Sequence, residues 1–350
     1  MAQQIVRCKH VESELTRFLA GLNFDGIFLL TDENADKLCL PHIQSVSALA
    51  AAKKIVIPAG DEHKNIETIS HVWQFLTDSG ATRKSLLINL GGGMVTDLGG
   101  FAAASFKRGI PFINLPTTLL GAVDAAVGGK TGINFNGLKN EIGAFAPAIA
   151  VFIDASFFRT LDHANLLSGY AEMLKHGLLS SPKEVNALLQ FDFDRVDYEK
   201  LNDLLFESVL VKERIVQEDP REEGIRKALN LGHTFGHAFE SLSYQTPKPI
   251  LHGYAVAYGL VCELYLSFLR LDFDKNLLLQ VAHFVKTHYG KFPFDCNDYP
   301  QLFKLMQHDK KNENNTINFT LLKAAGAVEI NCTATEKEIF ETLDFFREYL

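Results

Sequence analysis

The spacing of hydrophobic positions changes once along this chain, and the change divides it. Between residues 26 and 116 short apolar runs rich in β-branched residues, GIFLLT, KIVIP, SLLINL and IPFINL, alternate with longer stretches of helical period. That alternation predicts a parallel sheet wound with helices, because strands covered on both faces read as continuous apolar runs. A further run, IAVFID, closes at Asp154. Beyond it the period lengthens, and helices are predicted over 161–180, 197–217, 226–244 and 252–269. TINFTLL and AVEI, on either side of Ala325-Gly326, predict a small hairpin, followed by a last helix over 336–349. A length of 350 residues exceeds what one hydrophobic core usually serves. The expected architecture is therefore an α/β N-terminal domain of Rossmann-like type over residues 1–160 and an all-α C-terminal domain over 161–350.

Composition narrows the function classes. With 47% hydrophobic and 22% charged residues the chain reads as globular, without a disordered tail. A net charge of -8 opposes a general role on nucleic acid, so any basic site must be local. Five scattered cysteines, none spaced C-x-x-C, fit neither a disulfide framework nor a thiolate zinc site and are expected to be buried thiols. The start, MAQQIVRCKH, lacks a long apolar segment, and no run approaches the ~20 apolar residues of a spanning helix. A cytoplasmic protein with neither nucleic-acid nor membrane partners is expected.

Two glycine turns follow strands. SLLINL runs into Gly91-Gly92-Gly93 and then a helical stretch, so backbone N–H groups at a helix start face a close-approach turn suited to a pyrophosphate. Thr96 takes the third glycine position of G-x-G-x-x-G, so the common dinucleotide fingerprint is not met. Asp97, one turn into the helix, and Asp32, closing the first strand, are candidate acceptors for ribose hydroxyls, although Asp97 at a helix start also suits the helix dipole. After IPFINL come Pro116-Thr117-Thr118, Asp124 and Gly128-Gly129-Lys130-Thr131-Gly132. The last resembles the end of a Walker A loop but lacks its leading spacing, which excludes a triphosphate site. It reads instead as a loop placing Lys130 beside an anion, extended by Lys139-Asn140 and preceded by Arg108, as one pocket.

In the helical half, Glu172, Lys175 and His176 share one helix face, and Asn230, His233 and His237 repeat that spacing, with Arg226 two turns ahead on the same side. Gly232 and Gly236 leave the histidine face uncluttered, and His252 opens the next helix. Two imidazoles at i, i+4 with a distant carboxylate suit a divalent cation such as zinc or cobalt with a position left open for substrate. Core histidines satisfied by their own hydrogen bonds are the competing reading.

The motifs GGGMVTDLGGFAAASFKRG, LPTTLLGAVDAAVGGKTGIN, GLKNEIGAF, SGYAEMLKHGLL, LNLGHTFGHAFES and LHGYAVAYG, in this order, resemble the 3-dehydroquinate synthase family of sugar-phosphate cyclases, relatives of the iron-type polyol dehydrogenases. The resemblance runs from about residue 25 to residue 326. It implies a dehydroquinate synthase-like fold and a homodimer. It also implies NAD and a divalent metal, Zn or Co, acting on a small anionic sugar acid phosphate, 3-deoxy-D-arabino-heptulosonate 7-phosphate. The implied metal ligands are Glu172, His233 and His252, with His237 moved to substrate. Implied substrate contacts are Arg108, Asp124, Lys130, Asn140, Lys175, Lys212, Arg226, Asn230, His237 and Lys310 in HDKKN. Implied NAD contacts are Asp32, Asp61, Lys64, Gly92, Gly93, Asp97, Thr117, Thr118, Lys130, Lys139 and the 157–160 turn with Phe157 and Thr160. Asp61 stands where the family usually has Glu, and Asn312 stands where many relatives have Gly. An NAD-dependent polyol dehydrogenase would need no such number of cations, and a cyclase for a sugar phosphate without a carboxylate would not need Asn140, Arg226, Asn230 and His237 together. A silent NAD-binding scaffold is opposed by the complete metal and anion sets.

Overall fold

In the computed structural model, residues 3–308 and 316–350 are described. Two compact units divide the chain: Met1–Asp162 with Asp197–Val209, and His163–Val196 with Leu210–Leu350. A single crossing near residue 160 is thus not the whole division, because the first half of a long helix returns to the first unit.

In that unit β1 (Gln4–Arg7), α1 (Val11–Ala20), β2 (Ile27–Asp32), α2 (Glu33–Leu38), β3 (Lys53–Ile57), α3 (Ile66–Asp78), β4 (Leu86–Gly91), α4 (Gly93–Ser105) and β5 (Phe112–Pro116) follow the predicted alternation. An antiparallel hairpin, β6 (Lys130–Phe135) and β7 (Leu138–Phe145), precedes β8 (Ala150–Ile153), and the sequence pattern did not indicate it. The parallel sheet has the order β1-β8-β5-β4-β2-β3. β4 and β5 are buried at every position, which is why their sequences are unbroken apolar runs. The chain winds from β2 to β3 in one direction and from β4 to β5 in the other, so the order reverses between β2 and β4. Open parallel sheets bind ligands at the carboxyl ends beside such a reversal. Asp32 and Gly91-Gly92-Gly93 stand there.

The second unit holds α5 (His163–Ser180), α6 (Pro182–Leu189), the later part of α7 (Tyr198–Glu218), α8 (His233–Ser243), α9 (His252–Leu271), α10 (Lys275–Tyr289), α11 (Tyr299–Gln307), the hairpin β9 (Phe319–Ala324) and β10 (Ala327–Cys332), and α12 (Glu336–Tyr349). The predicted helix over 226–244 is broken. Residues Ile225–Asn230 form a 3-10 turn, and Gly232 adopts φ +80° before α8 begins. Arg226 therefore does not share a helix face with His233. α9 has the length and apolar composition of a membrane-crossing helix, contrary to the expectation that no run approaches it, and 67% of its apolar window is buried within this unit. Cys8, Cys39 and Cys262 are buried as expected, whereas Cys296 is exposed.

Close helix approach decides the geometry here. A Cβ on Gly253 would lie 1.8 Å from the Ser168 carbonyl of α5, and one on Gly259 would lie 1.8 Å from the Gly232 carbonyl. Only glycine lets α9 run this near both neighbours. Gly236 serves the same packing, since a Cβ on it would lie 2.9 Å from the Ala255 carbonyl.

Candidate functional site

In the first unit the glycine turn is built by packing. Gly92 caps α4 with no side-chain hydrogen bond, so the helix begins on bare N–H groups. A Cβ on Gly92 would press on Thr118, 3.0 Å away, and one on Gly121 would meet the Gly93 nitrogen at 2.9 Å. The turns after β4 and β5 thus interlock, bringing Gly92, Gly93, Thr117 and Thr118 together. Gly128 and Gly129, both at positive φ, lead into strand β6 instead of a helix, so GGKTG lacks the helix start a Walker loop needs.

Lys64 ties three segments. Its buried ammonium lies 3.1 Å from Asp97 Oδ2 and 3.4 Å from Asp61 Oδ1, and donates to Asn140 Oδ1 at 2.7 Å. Asn134 extends the cluster by donating to Asp61 Oδ2 at 3.2 Å, while its own Oδ1 accepts from the Asn140 backbone at 3.0 Å. Asp32 is partly committed elsewhere: its Oδ1 accepts from the Asn34 and Ala35 N–H groups as the cap of α2. Phe157 is fully buried against His42, and the Thr160 hydroxyl donates to the Phe157 carbonyl at 2.7 Å, so this turn can offer backbone and hydroxyl but not the phenyl ring. Cys39, 4.0 Å from Thr160 Oγ1, has its thiol pushed up to about 11 by burial.

Arg108, Lys130, Lys139 and Asn140, expected to line one pocket, sit at separate places along their elements. Arg108, at φ +67°, sits in the turn before β5, where Arg83 Nε donates to the Lys107 carbonyl at 3.1 Å. That is the amino edge of the sheet, about 16 Å of strand from Thr117. Lys130 starts β6 while Lys139 lies near the hairpin turn, about 13 Å along the strands. Asp124 lies in a π-type turn, Gly121–Ala125, and Lys130 borders a narrow recess with Thr96 and Asn114.

In the second unit α5, α8 and α9 bring Glu172, His233 and His252 into one group whose ligand atoms lie within 4.8 Å of one another. Glu172 is completely buried, and its Oε1 is 3.5 Å from His233 Nε2 and 3.4 Å from His252 Nε2. These distances are long for hydrogen bonds, and Glu172 Oε1 has no hydrogen-bond partner among the described residues, while Oε2 is paired with Lys175. The far ring nitrogens are engaged: His233 Nδ1 with the Leu231 carbonyl at 3.1 Å, His252 Nδ1 with Glu240 Oε2 at 3.2 Å. Both partners only accept, so both Nδ1 atoms donate, which leaves Nε2 of each ring, on the Glu172 side, as the atom that would ligate a cation. Two imidazole nitrogens and an unmet carboxylate oxygen are a donor set for a borderline divalent cation.

Lys175 forms an ion pair with Glu172 Oε2. Burial alone would raise the Glu172 pKa, but Lys175, then His233 and His252, hold it well below the ordinary carboxylate value. Desolvation works against a charged His252, yet Glu172 and Glu240 raise its pKa to about 10. His237 stands beside the group, its ring 5.3 Å from His233 and 6.2 Å from His252. The i, i+4 pairing read from the sequence gives way to His233 with His252, because Gly232 and Gly253 set where the helices start and cross. Lys212 and Arg226 are buried; Arg226 donates to the Pro220 carbonyl at 2.7 Å, and Asn230 to Glu222 Oε1 at 3.2 Å. Lys310 lies outside the described residues, as does Asn312.

Two buried carboxylates escaped the sequence reading. Glu240 shares α8 with His233 and His237, and its place three residues after His237 was a legible signal. Glu263 of α9 accepts from the Gly232 and Thr234 N–H groups at 2.6 and 3.0 Å, capping α8 from outside. No local pattern announces that contact.

Comparison with known proteins gives a consistent picture. Sequence profiles described as 3-dehydroquinate synthase N-terminal and C-terminal match residues 54–168 and 169–312. A 3-dehydroquinate synthase of Parabacteroides distasonis is 56% identical over 346 residues, covering 99% of this chain and 98% of that protein. Among solved structures, a 2-epi-5-epi-valiolone synthase from Streptomyces hygroscopicus with NAD+ and Zn2+ bound aligns with a TM-score of 0.87 at 23% identity, covering 99% of this chain and 97% of that one. A 2-deoxy-scyllo-inosose synthase complexed with carbaglucose-6-phosphate, NAD+ and Co2+ aligns with a TM-score of 0.83 at 22% identity, covering 99% and 96%. The fold is that of the sugar-phosphate cyclases, and the chain belongs to the 3-dehydroquinate synthase family.

Proposed function

We propose that this chain converts 3-deoxy-D-arabino-heptulosonate 7-phosphate to 3-dehydroquinate and phosphate in the shikimate pathway, by transient oxidation, phosphate elimination, re-reduction and intramolecular aldol closure. We assign NAD binding to residues 1–160 and metal and substrate binding to residues 161–350, apart from residues 197–209, which pack with the first unit. The observation that carries this reading is the convergence of Glu172, His233 and His252, with Glu172 Oε1 lacking a hydrogen-bond partner among the described residues. When bound, NAD takes up and returns one hydride, and a divalent cation, zinc or cobalt, polarises the hydroxyl that is oxidised.

The protein's own groups bind and orient. Gly92 and Gly93 offer N–H groups to the pyrophosphate, and Asp32, Asp61, Lys64, Asp97, Thr117, Thr118, Lys139 and the Phe157–Thr160 turn surround the rest of the cofactor. Lys175, Lys212, Arg226 and Lys310 counter the phosphate and carboxylate, Asn230 and His237 hold hydroxyls, and Lys130, Asp124 and Asn140 keep the substrate roles that the family resemblance gives them. Holding a flexible seven-carbon chain in one conformation accounts for much of the rate, because the substrate's own phosphate can accept the proton. Arg108 keeps its assigned phosphate role only through its family position. A homodimer fits the β6–β7 hairpin, where Phe135, Leu138, Ile142 and Phe145 are exposed, and a cytoplasmic location goes with that reading.

The deciding experiment incubates the purified protein with NAD, Co2+ and the seven-carbon acid phosphate. Phosphate and 3-dehydroquinate should appear in equal amounts without net NADH, and a chelator should abolish turnover. Net NADH from glycerol with no phosphate release would replace this reading with a dehydrogenase.

A further inference from the structure

The two imidazoles of the metal group are held in different ways. His233 rests on a backbone carbonyl, which no substitution removes. His252 rests on a side-chain carboxylate, Glu240 Oε2, at 3.2 Å. Glu240 is itself buried, and its other oxygen, Oε1, accepts from the Tyr244 hydroxyl at 3.0 Å. Glu240 and Tyr244 lie one helical turn apart at the end of α8, and Tyr244 is 54% exposed. A chain of hydrogen bonds therefore runs from a solvent-facing phenol through a buried carboxylate to the far nitrogen of His252.

We infer that Glu240, steadied by Tyr244, is the positioning residue of His252: it fixes the Nδ1–H tautomer, aims Nε2 at the metal position and strengthens that nitrogen as a donor. The inference rests on the metal reading above and deepens it. Glu240 does not reach the metal position itself, since its Oε2 bonds the ring nitrogen on the opposite side. Its charge matters as well as its geometry. A divalent cation with Lys175 would carry +3 against Glu172 alone, and Glu240 supplies the second negative charge inside a buried cluster. Carboxylates behind ligating imidazoles typically change metal affinity ten- to a hundredfold.

Co2+ affinity, read by chelator competition, and the visible spectrum of the Co2+ protein test this without any turnover assay. Glu240→Met keeps the side-chain volume but removes the acceptor; it should weaken Co2+ about ten- to a hundredfold and shift the Co2+ bands. Glu240→Gln restores an acceptor oxygen but not the charge, and should recover part of the affinity, binding Co2+ more tightly than Glu240→Met and less tightly than the unaltered protein. Tyr244→Phe, at an exposed position, should weaken Co2+ by a few-fold. Glu240→Met binding Co2+ as tightly as the unaltered protein, with the same spectrum, would overturn the inference while leaving the metal reading intact. If the unaltered protein binds neither Co2+ nor Zn2+, both fall. Should Glu240→Met fail to fold, 15N spectra of the Zn2+-loaded unaltered protein decide: a protonated His252 Nδ1 supports the assignment, and a proton on Nε2 overturns it.

Discussion

Two polar clusters, one in each unit, are both charged and both centred on a buried side chain, Lys64 or Glu172, yet they differ in what they leave unfinished. Around Lys64 the charges answer one another: an ammonium meets Asp97, Asp61 and Asn140 within 3.4 Å, and the neighbouring amides complete the network. Around Glu172 one oxygen faces two imidazole nitrogens at 3.4–3.5 Å and makes a hydrogen bond with neither. A satisfied cluster fixes loops, as the Lys64 group fixes the β7 hairpin to α4. An incomplete one keeps a place for a ligand: Lys175 answers Oε2, but Oε1 is a buried acceptor with no hydrogen-bond partner among the described residues, which is costly unless a ligand fills it.

The largest effect should come from the incomplete cluster. Glu172→Gln is expected to lower turnover by at least about a thousandfold, corresponding to several kcal/mol of lost charge stabilisation, and to abolish Co2+ binding in equilibrium dialysis. Retained Co2+ at normal affinity would make Glu172 as complete as Lys64 and dissolve the contrast. Next, Gly259→Ala should destabilise the protein by about 3 kcal/mol in urea melts, since the added Cβ would strike the Gly232 carbonyl at 1.8 Å and move α8 off α9. Lys64→Met should cost about 1.5–3 kcal/mol in NADH binding, roughly ten- to a hundredfold by fluorescence titration, while Co2+ affinity stays unchanged. An equal loss of both would show the two clusters to be one.

The smallest effect belongs to a complete carboxylate on the surface of the second unit. Glu338 accepts from the Thr335 N–H at 2.7 Å and from Arg270 at 2.9 Å, and the Thr335 backbone bond, then Arg270, lower its pKa. A lowered carboxylate pKa stabilises the fold above the unfolded value of about 4.3, and that contribution is lost as pH falls through the native pKa. Glu338→Gln should therefore cost about 1 kcal/mol at pH 7, with the difference shrinking below about pH 4 in thermal melts.

Local chemistry made much of this legible from the sequence. Continuous apolar runs announced the buried strands β2, β4 and β5, glycines after β4 announced a backbone turn at a helix start, and the last helix coincides with 336–349 because its Thr335–Glu338 capping box and apolar stripe are both local. The β6–β7 hairpin stayed hidden because β7 is exposed nearly throughout and shows no alternation. Residue types also named candidates for the metal, but not their grouping.

The sequence by itself determined which side chains were available: one carboxylate, several imidazoles, and glycines spaced along two helices. Local spacing suggested His233 with His237, and the family resemblance implied His252 in place of His237; only the tertiary structure decided that Glu240 and Glu263 stand behind them and that Arg108 lies at the opposite edge of its sheet from the glycine turn. The reason is physical. Periodicity reports which face of one element is covered, whereas these groupings depend on how closely α9 approaches α5 and α8 at Gly253 and Gly259, a distance set by backbone contacts between elements far apart in the chain.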